Sequence, residues 1–178
     1  MEPALQLVKI GRLMADNRIQ LLLALQHDPR NPASSIHDHP ISAHTDRVAR
    51  NIAEIDQLWR QFRARHLDER VAPLADRYAE QRKTLVNSGL IPTRDAILAG
   101  KYDDATRLTL QAINPGFEAA DASRQELFQS MVDAAKDWNE RAKQRYVLIR
   151  NLTVAGIAGS VLFALLVAFF IIRGITRS

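Results

Sequence analysis

A chain of 178 residues with 24 basic and 20 acidic side chains, a formal charge of +4 and no cysteine excludes several functions at once. Disulfides, Cys-ligated zinc and a thiolate nucleophile have no residue to build them. Acidic and basic residues alternate through the chain without a long cationic run, so no nucleic-acid partner is expected. The length allows one ordinary domain plus a membrane span.

The first predicted element is a helix over Pro3–Gln26, with Pro3 in its first turn. Leu7, Ile10, Met14, Asn17, Leu21 and Ala24 recur at steps of three and four, the seam of a bundle helix. Asn17 is polar on that seam, and either fixes register or opens a polar pocket with neighbouring Arg18. His27–Ser42 is a loop stopped by Pro29, Pro32 and Pro40. It carries His27, His37, Asp38 and His39, with His44 just beyond. Imidazole and carboxylate suit several divalent metals, but this spacing matches no established ligand pattern. These residues are expected to cap helix ends and pack the loop, and no metal site or cofactor is expected.

Ala43–His66 reads as the second helix, with Ser42 or Thr45 as its cap and Asp46 in the first turn. Val48, Ile52, Ile55, Trp59 and Phe62 form its stripe. A third helix follows to about Asn87 on Val71, Leu74, Tyr78 and Leu85, with Arg82 one turn past Tyr78. Ser88–Gly89 and Pro92 are predicted to interrupt it, Arg94–Ala99 to resume it and Gly100 to stop it. A short helix over Ala105–Ile113 is predicted to break at Asn114–Pro115–Gly116. From Phe117 the last helix carries a stripe through Ala120, Leu127, Met131, Ala134, Trp138 and Ala142, with no Pro or Gly before Gly156.

Leu152–Ile172, LTVAGIAGSVLFALLVAFFII, holds no charge and lies between Arg150 and Arg173. At about 1.5 Å per residue it extends about 31 Å, close to the ~30 Å hydrocarbon core of a bilayer. Its roughly thirteen Leu, Ile, Val and Phe residues favour insertion by about 4 to 8 kcal/mol. The expected fold is all-α: an antiparallel up-down four-helix bundle over residues 1–150, whose last helix continues into a C-terminal transmembrane helix over 151–173.

No catalytic constellation is present: no GxSxG, Walker loop, GxGxxG or HExxH. The positions three before each histidine are Ala24, Ser34, Ile36, Ile41 and Arg63, so the Glu-x-x-His pairs of a di-iron bundle are missing too. No enzyme is expected.

The strings NRIQLLLALQHDP (Asn17–Pro29), HDHPISAHTDRVARNI (His37–Ile52) and LADRYAEQR (Leu74–Arg82), with a span ending in IIRGITRS, resemble bacterial methyl-accepting chemotaxis proteins. The likeness is to the four-helix-bundle ligand-binding domain related to the aspartate receptor. It implies a homodimeric receptor in the bacterial inner membrane, with a periplasmic bundle between two spans, a small-molecule ligand and a cytoplasmic kinase and adaptor as partners. It also implies that a first span, a HAMP relay and a methylated rod belong to the receptor, with residues 174–178 as the start of the HAMP linker. In such a receptor, first-helix arginines hold ligand carboxylates. Arg18 keeps the first of these positions, while the next two fall on Leu23 and His27, which argues against aspartate itself. The candidate ligand set is therefore Asn17, Arg18, Tyr78, Arg82 and Asn114, with a carboxylate as the expected partner. The input domain of a sensor histidine kinase or diguanylate cyclase, and a tail-anchored bundle that senses nothing, are the alternatives.

Overall fold

The computed structural model describes residues 3–175, all of whose regular elements are helical. Two compact units divide the chain, Met1–Val132 and Asp133–Ser178. The first holds α1 (Pro3–Leu25), a 3-10 turn (Pro32–Ile36), α2 (Ser42–Arg63), α3 (Ala72–Thr84), α4 (Ile91–Leu98), α5 (Tyr102–Leu108) and the start of α6 (Asn114–Ile175). Side-chain pairs run in opposite numerical order between each pair of neighbours. Gln6 meets Gln61 and Asp16 meets Arg47 across α1 and α2; Asp56 meets Arg82 and Arg63 meets Asp76 across α2 and α3. Arg77 meets Glu126 as Leu85 approaches Gly116, and Arg18 lies over Phe117 as Gly11 approaches Arg124. This is the expected antiparallel bundle.

The α1 seam is buried as its spacing predicts, with Leu7, Ile10, Asn17 and Leu21 fully covered. In the core Trp59 stacks on Phe62 at 5.1 Å between centroids and meets Tyr78 edge-on at 5.0 Å. Gly100 takes φ +72°, a left-handed conformation that costs glycine little. Gly100 N–H bonds to Ile97 O and Lys101 N–H to Ala96 O, the double closure of a glycine-ended helix, so the predicted stop stands.

The two predicted breaks are corrected. Between α3 and α4, residues Leu85–Leu90 form a π-helical turn, and Thr109–Ile113 form another between α5 and α6. Ile91 N–H reaches Val86 O, and Asn114 N–H reaches Thr109 O, each five residues back. The wider ring lets Pro92 and Pro115 follow at once, because the four-back bond that proline forfeits has already been replaced. The two turns face each other. A Cβ on Gly89 would lie 3.2 Å from Ile113 Cγ1, and one on Gly116 3.3 Å from Leu85 Cδ1, so glycine sets how closely these helices approach. The cap of α2 is also corrected: Ile41 holds that position, and neither Ser42 nor Thr45 supplies a side-chain cap.

Among the described residues of the second unit the one element is α6, whose helical assignment is unbroken from Asn114 to Ile175. Trp138 is 77% exposed rather than core, since no second element of that unit covers it. The apolar segment is long and hydrophobic enough to cross a membrane. Its two hydroxyls are satisfied within the helix: Thr153 Oγ1 donates to Ile149 O at 2.9 Å and Ser160 Oγ to Gly156 O at 2.7 Å. That is what a low-dielectric surround demands of a polar group. Most of the segment expected to start a HAMP linker lies outside the described residues.

Candidate functional site

Of the five residues chosen from sequence, Arg18 lies against the first turn of α6, the turn that Asn114 opens. Arg18 places its guanidinium 5.2 Å from the centre of the Phe117 ring, a cation over an aromatic face. Asn114 lies one turn before Phe117 on the same helix, so it shares that face. Asn17 is the next residue on α1 and is completely buried. Among the described residues, neither polar atom of Asn17 has a hydrogen-bond partner, nor has Arg18 Nε or Asn114 Oδ1. Buried polar atoms are nearly always paired, and each bare one costs about 1 to 3 kcal/mol. Arg18 and Asn17 supply donors and Asn114 an acceptor, groups that complement a carboxylate carrying a hydrogen-bond donor.

Tyr78 and Arg82 belong elsewhere. Tyr78 is fully buried and donates its hydroxyl to Met14 Sδ at 3.1 Å. Burial pushes its pKa well above the ordinary phenol value. Arg82 turns to α2, where Nη1 meets Asp56 Oδ1 at 2.5 Å. The sequence reading overlooked Arg124, which pairs with Asp121 at 2.7 Å while its guanidinium crosses Gly11. A Cβ on Gly11 would lie 2.7 Å from Arg124 Nε. The signal was available: a glycine inside a helix costs about 1 kcal/mol against alanine, so its presence marks something passing close.

A second overlooked feature is the outer face of α1. Leu5, Val8, Arg12, Ala15, Ile19 and Leu22 follow alternating steps of three and four on the side away from the core. Leu5, Val8, Ile19 and Leu22 are 56, 52, 52 and 42% exposed, so α1 carries two seams and the bundle covers only one. Beside the outer seam an open groove of about 620 Å³ reaches α2 at Arg47, Asn51 and Glu54. Asp16 is held there by Arg47 Nε and Asn51 Nδ2, each at 2.7 Å, and by Gln20 Nε2 at 3.2 Å. Burial works to raise its carboxyl, but these donors outweigh it and hold it below the usual range.

The histidine loop does not cap helices. His27, His37, His39 and His44 converge, with one ring nitrogen of each lying within 4.8 Å of the others. His27 and His37 are 4.0 Å apart between centroids. His39 Nδ1 lies 2.9 Å from Asp38 Oδ1, and His44 Nδ1 lies 2.7 Å from Gln20 Oε1. Burial first, then the neighbouring imidazoles, push His27 and His44 below the ordinary imidazole value. Among the described residues, these four rings are the group able to hold a metal; Asp38 is engaged with His39. The loop is tied to the α4–α5 turn by Tyr102 Oη to His27 O at 3.3 Å and by Arg30, which bridges Asp28 and Asp103.

Residues 1–135 match the family model described as Tar ligand binding domain homologue. No curated protein and no solved structure matches the chain.

Proposed function

We propose that this chain, which belongs to the family of Tar ligand-binding domain homologues, is the sensing and membrane-spanning part of a chemoreceptor for a small carboxylate. The observation that carries the reading is the unpaired polar layer of Arg18, Asn17 and Asn114, placed where α6 begins. The same helix, without interruption, later forms the apolar segment suited to a bilayer. A ligand whose carboxylate pairs with Arg18 and whose donor meets Asn114 contacts α1 and α6 together. It favours whichever setting of α6 makes both contacts best, and it shifts that equilibrium only by its difference in affinity between settings. A slide or tilt of α6 is the output, read by a HAMP and kinase-control module in the cytoplasm. No chemistry is performed on the ligand. The bundle stands in the periplasm and the span in the inner membrane.

The outer seam of α1 supports a homodimer. Two copies related by a two-fold axis present the same stripe to each other, burying Leu5, Val8, Ile19 and Leu22. Arg12 interrupts that stripe, so the dimer brings two guanidiniums toward one seam. An anion between them relieves the repulsion, which again favours a carboxylate.

The test is calorimetry on the full chain in nanodiscs against a panel of amino and organic acids. A carboxylate should bind, and Arg18→Ala should weaken it about 10- to 100-fold, as loss of a hydrogen bond to a charged group implies. Binding unchanged in Arg18→Ala, or no carboxylate bound at all, overturns the reading. Ile19→Glu should shift the chain from dimer to monomer in sedimentation.

A further inference from the structure

The histidine cluster has a geometry that packing alone does not explain. Gln20 is oriented by its own bond, since Nε2 donates to Asp16 Oδ1 at 3.2 Å and thereby turns Oε1 toward His44. An amide oxygen only accepts, so His44 Nδ1 carries the ring proton. Asp38 likewise only accepts when ionised, so His39 Nδ1 carries its proton too. With both rings neutral, each presents a lone pair at Nε2, and these two nitrogens lie 2.8 Å apart, so that a shared proton or a cation is needed between them. Two lone pairs at that distance repel. A third, His27 Nε2, is buried without a partner among the described residues. A ring whose far nitrogen is fixed by a carboxylate or an amide oxygen is also how metal-bound histidine is held.

We propose that His27, His37, His39 and His44 form a binding site for a divalent transition-metal ion of the zinc class. Four imidazoles suit Zn²⁺, Ni²⁺ or Cu²⁺ and disfavour Mg²⁺ and Ca²⁺, which take oxygen ligands. Tetrahedral zinc with bonds of about 2.0 to 2.1 Å places its nitrogens about 3.3 Å apart. The cluster, with one pair at 2.8 Å and all four donors within 4.8 Å, brackets that spacing. The ion ties together the chain just past α1, the loop, and the first turn of α2. Asp38 and Gln20 act as positioning residues. The site is separate from the Arg18 layer, and its existence does not depend on the ligand proposed there.

The experiment uses the tag-free full chain in nanodiscs, stripped with chelator and titrated with Zn²⁺ and Co²⁺. One Zn²⁺ per chain should bind, and Co²⁺ should develop the intense visible bands of four-coordinate geometry. His39→Ala and His44→Ala should each lower Zn²⁺ affinity at least tenfold. Asp38→Asn should lower it about tenfold while leaving all four ligands in place. His66→Ala, at the exposed histidine outside the cluster, should change nothing, and Mg²⁺ should not compete. Zn²⁺ binding indifferent to His39 and His44, pale six-coordinate Co²⁺, or no binding overturns the proposal. If a substituted chain fails to fold, the Co²⁺ spectrum of the unsubstituted one still decides.

Discussion

Two layers of the bundle, one helical turn apart on α1, differ in whether their arginines meet a carboxylate, although Arg82 Nε is as bare as Arg18 Nε. Around Met14 and Tyr78 the charges are paired: Arg82 with Asp56 and Arg124 with Asp121. Around Arg18 and Phe117 they are not, with atoms of Asn17, Arg18 and Asn114 bare. Arginine appears in both layers, so residue type does not mark the site. What marks it is whether the protein already supplies the counter-group. On the proposed reading, a carboxylate-paired arginine is framework, and the arginine without one is the ligand's partner.

The sharpest way to break this contrast is at Tyr78. Tyr78→Ala removes a fully buried aromatic and should cost about 3 to 5 kcal/mol in chemical denaturation. Tyr78→Phe loses only the weak contact to Met14 and should stay within about 0.5 kcal/mol of the parent, with ligand affinity unchanged. Loss of ligand response in Tyr78→Phe would move the site into the paired layer. Next in size is the arginine pair itself. Arg82→Ala should cost about 1 kcal/mol of stability, because Asp56 is partly exposed, and leave affinity alone. Arg18→Ala should do the reverse, and equal effects from both would erase the distinction. The smallest effect concerns Asp16. Its carboxyl is held low by Arg47, Asn51 and Gln20, so it contributes stability above its ordinary value of 3.8. That contribution disappears as pH falls further. Asp16→Asn should therefore flatten the acid limb of stability measured between pH 5 and 2, by roughly one proton of slope at most.

Much of this was legible in the sequence. The inner seam of α1, the antiparallel order and the glycine stop at Gly100 follow from periodicity and turn chemistry alone. Pro92 and Pro115 misled because the rule for proline in helices assumes a four-back ladder. A five-back turn evades it, and here it does so where Gly89 and Gly116 let the two turns approach. The outer seam of α1 was readable from Leu5 to Leu22, but one stripe already explained the helix. Arg18 and Arg82 look alike in one dimension, since pairing is decided by which helix each meets. The histidines gave no pattern because their spacing, from 27 to 37, 39 and 44, has no helical or turn period; only the folded loop makes them neighbours.

The paired π-turns carry one more consequence. Each accommodates a surplus residue relative to an α-turn, so angular position around the axis cannot be counted through them. Phe117 faces Arg18 only because that extra residue, just upstream, has set its phase. Excising a single amino acid from Thr109–Ile113 would swing every later side chain by about 100°, a rotation that leaves composition nearly unchanged and turns the aromatic ring away from its cation.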